Sequence, residues 1–358
     1  MSLRKGLIVF ILLAFGVNAV ILFKSVDHHT IHALIHAQKC KLLLALLTVC
    51  IAWLCDAGRF CALAKAADEH VSLPLGIALT WLNYFGSAVT PMQSGGGPFQ
   101  VYALYKKGIP VGKGIAITLI RTMLTVLILT LAVPVAIMID PEILAGSPFL
   151  KGLASYALVV IALIWSFVAF TILKPESIRA LSRVVVMWLR KFNIMKSNRT
   201  VIKIFQWLDT EIDNYIMNFR IAFRYGKIWL LAGVILSVLH LLSLFTVLPV
   251  LMSAVGLQFR YTQTMAVQAV FMFILYFVPT PGASGVAEGG GALLYSALMP
   301  ENMAGVMAVT CRFFTDYISI FMGVVVVIRM LGWGVSENIH KGASPESQAL
   351  KQEAEQDA

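Results

Sequence analysis

The stretch TPMQSGGGP at residues 90–98 interrupts an apolar region that runs from residue 71 to residue 105. A second interruption, PTPGASG at residues 279–285, lies in the middle of an apolar region at 264–299. Each region is too long for one membrane helix, and proline and glycine end one helix and allow a sharp turn before the next. The sequence therefore predicts two broken helices with their breaks near the middle of the membrane.

The rest of the chain is apolar enough to lie in a bilayer. Of its 358 residues 59% are hydrophobic and 13% are charged, about half the charged share of a soluble domain. This composition argues against a disordered protein and against an ordinary soluble enzyme. We expect an all-α, polytopic membrane bundle of about eight hydrophobic segments, because runs of 18 or more apolar residues can cross about 30 Å of hydrocarbon. Its six full spans are predicted at 6–23, 42–60, 115–138, 153–173, 228–253 and 304–331.

The placement of charge bears on the topology. The net charge is +10, and residues 174–227 hold 11 Lys and Arg against 4 Asp and Glu, which predicts a cytoplasmic, amphipathic loop that lies on anionic lipid or docks a partner. If each broken region is a re-entrant hairpin, both termini lie on the cytoplasmic side. If each region crosses once, the termini lie outside and Arg4 and Lys5 are on the wrong side. The charge rule favours the hairpins and a multi-pass protein of the inner (plasma) membrane.

The two breaks match each other in sequence. Thr90-Pro91-x-x-Ser94-Gly95 recurs as Thr280-Pro281-x-x-Ser284-Gly285, 190 residues later, and a similar offset relates the flanking spans. We therefore expect one transmembrane domain at 1–332, with repeat halves at about 1–140 and 150–332, followed by a polar, acidic tail at 333–358. In the hairpin topology the halves have opposite orientations, which is typical of transporters with a site at the repeat interface. The alternative is chance recurrence in a glycine-rich chain.

The second break resembles a known family. Residues 279–288, which end in Glu288 and are followed by Arg312, resemble the lysylphosphatidylglycerol synthase transmembrane-region family, whose motif typically reads P-x-P-G-G-x-G-x-x-E. Ala283 stands where the family has its second glycine. In its first motif the family often has an acidic residue where this chain has Gly97 and a basic one where it has Gln100. The resemblance implies a membrane domain that translocates or handles phospholipids, here as a stand-alone member without the aminoacyl-transferase domain.

Charged residues and glycine runs inside the apolar regions are the candidate site. Helices that restart after the breaks would expose N–H groups suited to a phosphate, and buried arginine would add charge-assisted hydrogen bonds. Glu288 could then be a gate or a proton carrier. The predicted substrate-binding residues are Ser94, Gly95, Gly96, Arg121, Ser284, Gly285, Glu288, Arg312 and Asp316. Asp56 and Arg59 are predicted to pair or to gate. The alternative is that these charges form ion pairs that only fix helix packing.

The leading functional hypothesis is a flippase or translocator of phospholipid or polyprenyl-linked lipid. We expect no enzymatic activity, cofactor, metal or nucleic-acid partner. Two alternatives are an integral-membrane enzyme that acts on a lipid headgroup, with Glu288 and Asp316 as acid or base groups, and a membrane scaffold. Near the N-terminus His28, His32 and His36 would share one helix face. They would form either a metal or pH-sensing site or, more simply, a polar connector.

Overall fold

The computed structural model describes residues 35–90, 93, 95–139 and 226–331, together with scattered helical positions between 12 and 32 and between 152 and 166. Within these residues the chain is helical and contains no strand, which confirms the predicted all-α bundle. The predicted spans 6–23 and 153–173 lie mostly outside the described residues. The loop at 174–227, apart from its last two residues, and the tail at 333–358 also lie outside them.

The first half contains two long helices and a broken pair. The long helices are α1, Lys39–Ala66, and α4, Val111–Ile139; the pair is α2, Leu73–Val89, and α3, Gly96–Lys106. Proline stands in the first turn of α2, where its missing N–H is not needed. The break between α2 and α3 coincides with the proline and glycine run found in the sequence.

The second half repeats this order. Helix α5 is Lys227–Ala254 and α6 is Tyr261–Leu275; a π-helical turn, Val286–Gly290, then leads into the short α7, Gly291–Tyr295. Helix α8, Glu301–Arg312, continues through a second π-helical turn, Phe313–Tyr317, into α9, Ile318–Val326. Four helices are long and apolar enough to cross a membrane, at 39–66, 111–138, 227–254 and 301–330. They correspond to four of the six predicted spans and support a multi-pass membrane protein.

Each broken region folds back on itself. Helices α2 and α3 approach so closely that a Cβ on Gly86 would lie 2.6 Å from the carbonyl oxygen of Gly95. Small residues permit this approach, and helix association within lipid depends on such close contact. In the second region the Tyr295 hydroxyl donates to Gln268 Oε1 at 2.6 Å, and its ring contacts Phe271. Both broken regions are therefore helical hairpins rather than kinked single helices.

The two hairpins open toward opposite ends of the bundle. Helices α1 and α5 are antiparallel, because Gln38 N donates to Ala254 O at one end while Lys65 Nζ lies 4.3 Å from the Trp229 ring at the other. The first hairpin follows the C-terminus of α1 and opens at the Lys65 end. The second follows the C-terminus of α5 and opens at the Gln38 end. The tips of both hairpins consequently lie between the two ends.

Each hairpin packs on the long helix of the other half. Helix α6 packs on α4, and α2 packs on α9, where Gly323 allows the backbone of Trp81 to approach. Three pairs of helices begin at similar offsets along the chain, at Lys39 and Lys227, at Leu73 and Tyr261, and at Val111 and Glu301, separations of 188, 188 and 190 residues. This reciprocal arrangement places both hairpin tips at the contact between the halves.

Candidate functional site

A cavity lies between the two halves, next to both hairpin tips. The empty space around it is about 950 Å³, a volume that includes open space at its mouth. Of the predicted site residues, Arg121, Arg312 and Asp316 line it. The cavity also receives Gln93 from the first tip and Gly282 from the second. The structure thus brings charged side chains from both halves to one space.

Asp56 is the centre of the first charge cluster. Its carboxylate accepts hydrogen bonds from Arg59 Nε at 2.9 Å and from Thr80 Oγ1 at 2.8 Å. Arg121 donates to it with two nitrogens, Nε to Oδ1 at 3.0 Å and Nη2 to Oδ2 at 2.7 Å. Asp56 and Arg59 are fully buried. The predicted Asp56–Arg59 pair therefore exists, deep in the bundle, and Arg121 joins it.

This Asp56 cluster has one more positive charge than it has negative charges. Arg59 is held by Asp56, and its Nη1 donates to Thr125 Oγ1 at 2.7 Å and Ser237 Oγ at 3.2 Å. Arg121 lines the cavity, and its Nη1 forms no hydrogen bond within the part of the chain that the structure describes. A guanidinium with a free donor in apolar surroundings attracts an anion strongly.

Arg312 is the centre of the second charge cluster, on the other side of the cavity. Its Nη1 lies 3.2 Å from Asp316 Oδ2, its Nε lies 3.9 Å from Glu288 Oε1, and its Nη2 donates to Gly282 O. The Nε is buried and has no hydrogen-bond partner among the described residues. This Arg312 cluster therefore contains one guanidinium and two carboxyl groups.

The Glu288 side chain accepts a hydrogen bond at the start of the π-helical turn Val286–Gly290. Its Oε2 accepts the Gly285 N–H at 2.7 Å, and its Oε1 accepts the Tyr317 hydroxyl at 2.7 Å. Gly285 has φ +87°, a conformation that L side chains rarely adopt. The expectation of a free N–H at Gly285 for phosphate is therefore not met. A carboxylate near the positive end of the turn already satisfies that group.

The first hairpin tip also bonds internally at one of its glycines. Gly95 N donates to Thr90 Oγ1 at 2.7 Å, so this N–H is likewise not free for a ligand. Gly96 begins α3 and lies against Asn83, where a Cβ would clash. Ser94 lies outside the described residues. Ser284 Oγ is buried and has no hydrogen-bond partner among the residues that the structure describes.

Several polar residues of the cavity were not predicted from the sequence. The Tyr84 and Tyr276 side chains line the cavity, from α2 and from the end of α6, together with Asn83. Neither tyrosine hydroxyl bonds to another described residue. Tyr317, which holds Glu288, in turn accepts a bond from Asn18 Nδ2 at 2.8 Å. The sequence feature that could have pointed to them is a polar side chain shortly before each break.

Of the histidines that the structure describes, His240 lines this cavity and the others do not. His32 and His36 stack with ring centroids 4.0 Å apart, and His28 lies outside the described residues. His240 lines the cavity, and its Nδ1 lies 2.9 Å from Ala52 O, consistent with a packed, hydrogen-bonded histidine. Among the described residues no group of three or more His, Cys, Asp or Glu could hold a metal ion.

Comparison with known proteins identifies a family and a similar membrane protein. The sequence pattern of the family described as "Lysylphosphatidylglycerol synthase TM region" matches residues 6–323. A UPF0104 membrane protein from Archaeoglobus fulgidus is 25% identical over 324 residues, which cover 88% of this chain and 94% of that protein. The matched region contains both hairpins and both charge clusters.

Proposed function

The chain belongs to the lysylphosphatidylglycerol synthase transmembrane-region family, a family of membrane proteins named for lipid metabolism, and on this premise we propose that it translocates phosphate-bearing lipids. The substrate would be a phospholipid or a polyprenyl-linked lipid whose phosphate enters the cavity between the halves. The lipid would leave chemically unchanged, so the protein is not an enzyme in this proposal.

The free Nη1 of Arg121 is the observation that carries this proposal. It belongs to a cluster with a surplus positive charge, and Arg121 lines the cavity between the halves. Guanidinium groups bind phosphate oxygens through charge-assisted hydrogen bonds. A phosphate at Arg121 would neutralise the surplus charge of the Asp56 cluster, and Arg312 lines the same cavity. We therefore place the phosphate between Arg121 and Arg312.

The repeat suggests how the lipid would move. Two halves of opposite orientation with a site at their contact can expose that site to each side in turn. The reciprocal contacts of α6 with α4 and of α2 with α9 support this arrangement. In this proposal Glu288 is the gate, since it holds the second hairpin tip through Gly285 and lies close to Arg312.

We also propose that the Lys65 end faces the cytoplasm of a cell with this protein in its inner (plasma) membrane. The short segments at this end contain Lys65, Lys106, Lys107, Lys113 and Lys227 against Asp68 and Glu69. An excess of basic residues marks the cytoplasmic side. The basic segment at 174–227 leads into α5 at this same end.

A lipid-flip assay tests the proposal. Purified protein is placed in liposomes with fluorescent phosphatidylglycerol, and loss of dithionite-protected fluorescence is followed. We expect fast loss with the wild type and little with Arg121→Gln. Lys113→Gln is the matched control, because it removes a cation from the same helix outside the cavity, and it should behave as wild type. Equal rates for Arg121→Gln and wild type would reject the site.

A further inference from the structure

Two tyrosines line the cavity with hydroxyls that form no hydrogen bond to another described residue. Tyr84 lies on α2, shortly before Thr90, and Tyr276 directly follows α6, shortly before Thr280. Both side chains are partly exposed, and both border the same cavity. Each hairpin therefore contributes one phenol group to this space just before its break.

Two further side chains of the cavity have unused hydrogen-bonding groups. Asn83 is next to Tyr84 and lies against Gly96, and no hydrogen bond joins its side-chain amide to the rest of the described chain. His240 Nδ1 lies 2.9 Å from Ala52 O, and because a carbonyl oxygen only accepts, this nitrogen carries the hydrogen. Nε2 of the neutral ring is then an acceptor. The cavity thus offers uncharged donors and acceptors beside its charged groups.

These uncharged groups need hydrogen-bond partners when a headgroup fills the cavity. A polar group that loses its water and gains no other hydrogen bond costs free energy. The oxygens of an ionised lipid phosphate only accept, so they cannot bond the acceptor of His240, and Arg121 already offers them donors. A hydroxyl both donates and accepts. Neighbouring hydroxyls on one headgroup can therefore satisfy the tyrosine, asparagine and histidine groups together.

An ammonium headgroup matches this lining less well. It only donates, so the hydroxyl hydrogens of Tyr84 and Tyr276 would be left without an acceptor. The guanidinium groups of Arg121 and Arg312 line the same cavity and would repel it. The carboxylate of Asp316 is already paired, because its Oδ2 lies 3.2 Å from Arg312 Nη1. The lining therefore favours an uncharged, hydroxyl-bearing group beyond the phosphate.

We propose that the cavity selects lipids whose phosphate carries a polyhydroxylated headgroup, such as glycerol or a sugar, and this rests on the proposed translocation. The phosphate binds at Arg121, and the headgroup hydroxyls bond Tyr84 and Tyr276. These tyrosines determine specificity, and because one comes from each hairpin, the headgroup contacts both halves at once. A headgroup without hydroxyls displaces the same water and returns no hydrogen bond, and sites of this kind reject such analogues strongly.

Two anionic lipids that differ only in their headgroup hydroxyls test this inference. Phosphatidylglycerol and phosphatidylpropanol have the same charge and a headgroup of the same carbon skeleton. Each is labelled on an acyl chain and added in trace amounts to liposomes that contain the protein. We expect the wild type to translocate phosphatidylglycerol about tenfold faster or more, since each hydrogen bond corresponds to a roughly 2- to 10-fold change. Tyr84→Phe and Tyr276→Phe should each lower this preference by roughly 2- to 10-fold, by slowing phosphatidylglycerol alone.

Tyr261→Phe is the matched control and should keep the wild-type preference. Tyr261 lies on α6 but does not line the cavity, and its hydroxyl donates to Thr246 Oγ1 at 3.2 Å. Equal rates for the two lipids with wild type overturn hydroxyl recognition and leave translocation standing. If Tyr84→Phe and Tyr276→Phe keep the wild-type preference, or slow both lipids equally, the role of the tyrosines is overturned. No movement of either lipid by wild type rejects the proposed function and this inference with it.

Discussion

Arg121 and Asp56 form a two-pronged ion pair in the centre of the bundle, with Arg121 Nε 3.0 Å from Oδ1 and Nη2 2.7 Å from Oδ2. The pair joins α4 to α1, and Arg59 and Thr80 satisfy the same carboxylate. This geometry fixes the plane of the Arg121 guanidinium and leaves its Nη1 free. Asp56 therefore acts as the support that orients Arg121 toward the cavity.

Loss of the Asp56 charge should destabilise the fold. Asp56→Asn leaves two buried guanidinium groups without a counter-charge, and breaking a buried ion pair typically costs about 3–5 kcal/mol. We expect a large drop in the thermal midpoint of the detergent-purified protein. Glu69→Gln is the control, because its ion pair with Lys113 is partly exposed and should contribute at most about 1 kcal/mol. Similar midpoints for both variants would contradict this assignment.

A positive charge at position 121 should not be sufficient for lipid translocation. Arg121→Lys keeps the positive charge but cannot bond both oxygens of Asp56 and still offer a donor to the cavity. The loss of one charge-assisted hydrogen bond, about 1.5–3 kcal/mol, corresponds to a roughly 10–100-fold lower rate of lipid translocation. The flip assay measures this directly. A lysine variant as fast as wild type would show that the two-pronged geometry is unimportant.

Gly285 should be intolerant of a side chain. Its φ of +87° places any L residue in a strained conformation, so Gly285→Ala should lower stability by about 1–2 kcal/mol. Gly97 lies in the first turn of α3 with open space around it, and Gly97→Ala should change stability by less than about 0.5 kcal/mol. Thermal unfolding of both variants checks the contrast. The strain argument fails if the two alanine variants have the same stability.

The hairpins should be labelled from opposite sides of the membrane. Lys107 follows α3 at the Lys65 end and Glu301 begins α8 at the Gln38 end, and both are exposed. In a cysteine-free background, Lys107→Cys should react with a membrane-impermeant maleimide only from the cytoplasmic side. Glu301→Cys should react only from outside. Labelling of both from one side would reject the opposed hairpins.

Much of the architecture was predictable because glycine and proline act locally. The breaks at 90–98 and 279–285 and the long apolar runs led to the hairpins and the four long helices that the structure describes. The spacing of three between Asp56 and Arg59 and of four between Arg312 and Asp316 predicted contacts on one helix face, and both ion pairs exist.

The arrangement across helices was not predictable from these local rules. Nothing in the sequence around Asp56 indicates that Arg121, 65 residues away, is its second partner. The expectation of free N–H groups at Gly95 and Gly285 did not allow for Thr90 and Glu288, whose side chains satisfy them. Such contacts depend on how whole helices pack, which periodicity along one helix does not encode.

Covalent occlusion of the cavity tests most directly whether lipid headgroups pass through it. Met272 lines the cavity and is partly accessible, whereas Leu43 is 67% exposed on α1. Each is replaced by cysteine in a cysteine-free background, modified with a bulky thiol reagent and assayed for translocation of phosphatidylglycerol. We predict that modification of Met272→Cys stops translocation and that modification of Leu43→Cys leaves it unchanged. Translocation that continues at full rate after complete modification of Met272→Cys would contradict a route through this cavity.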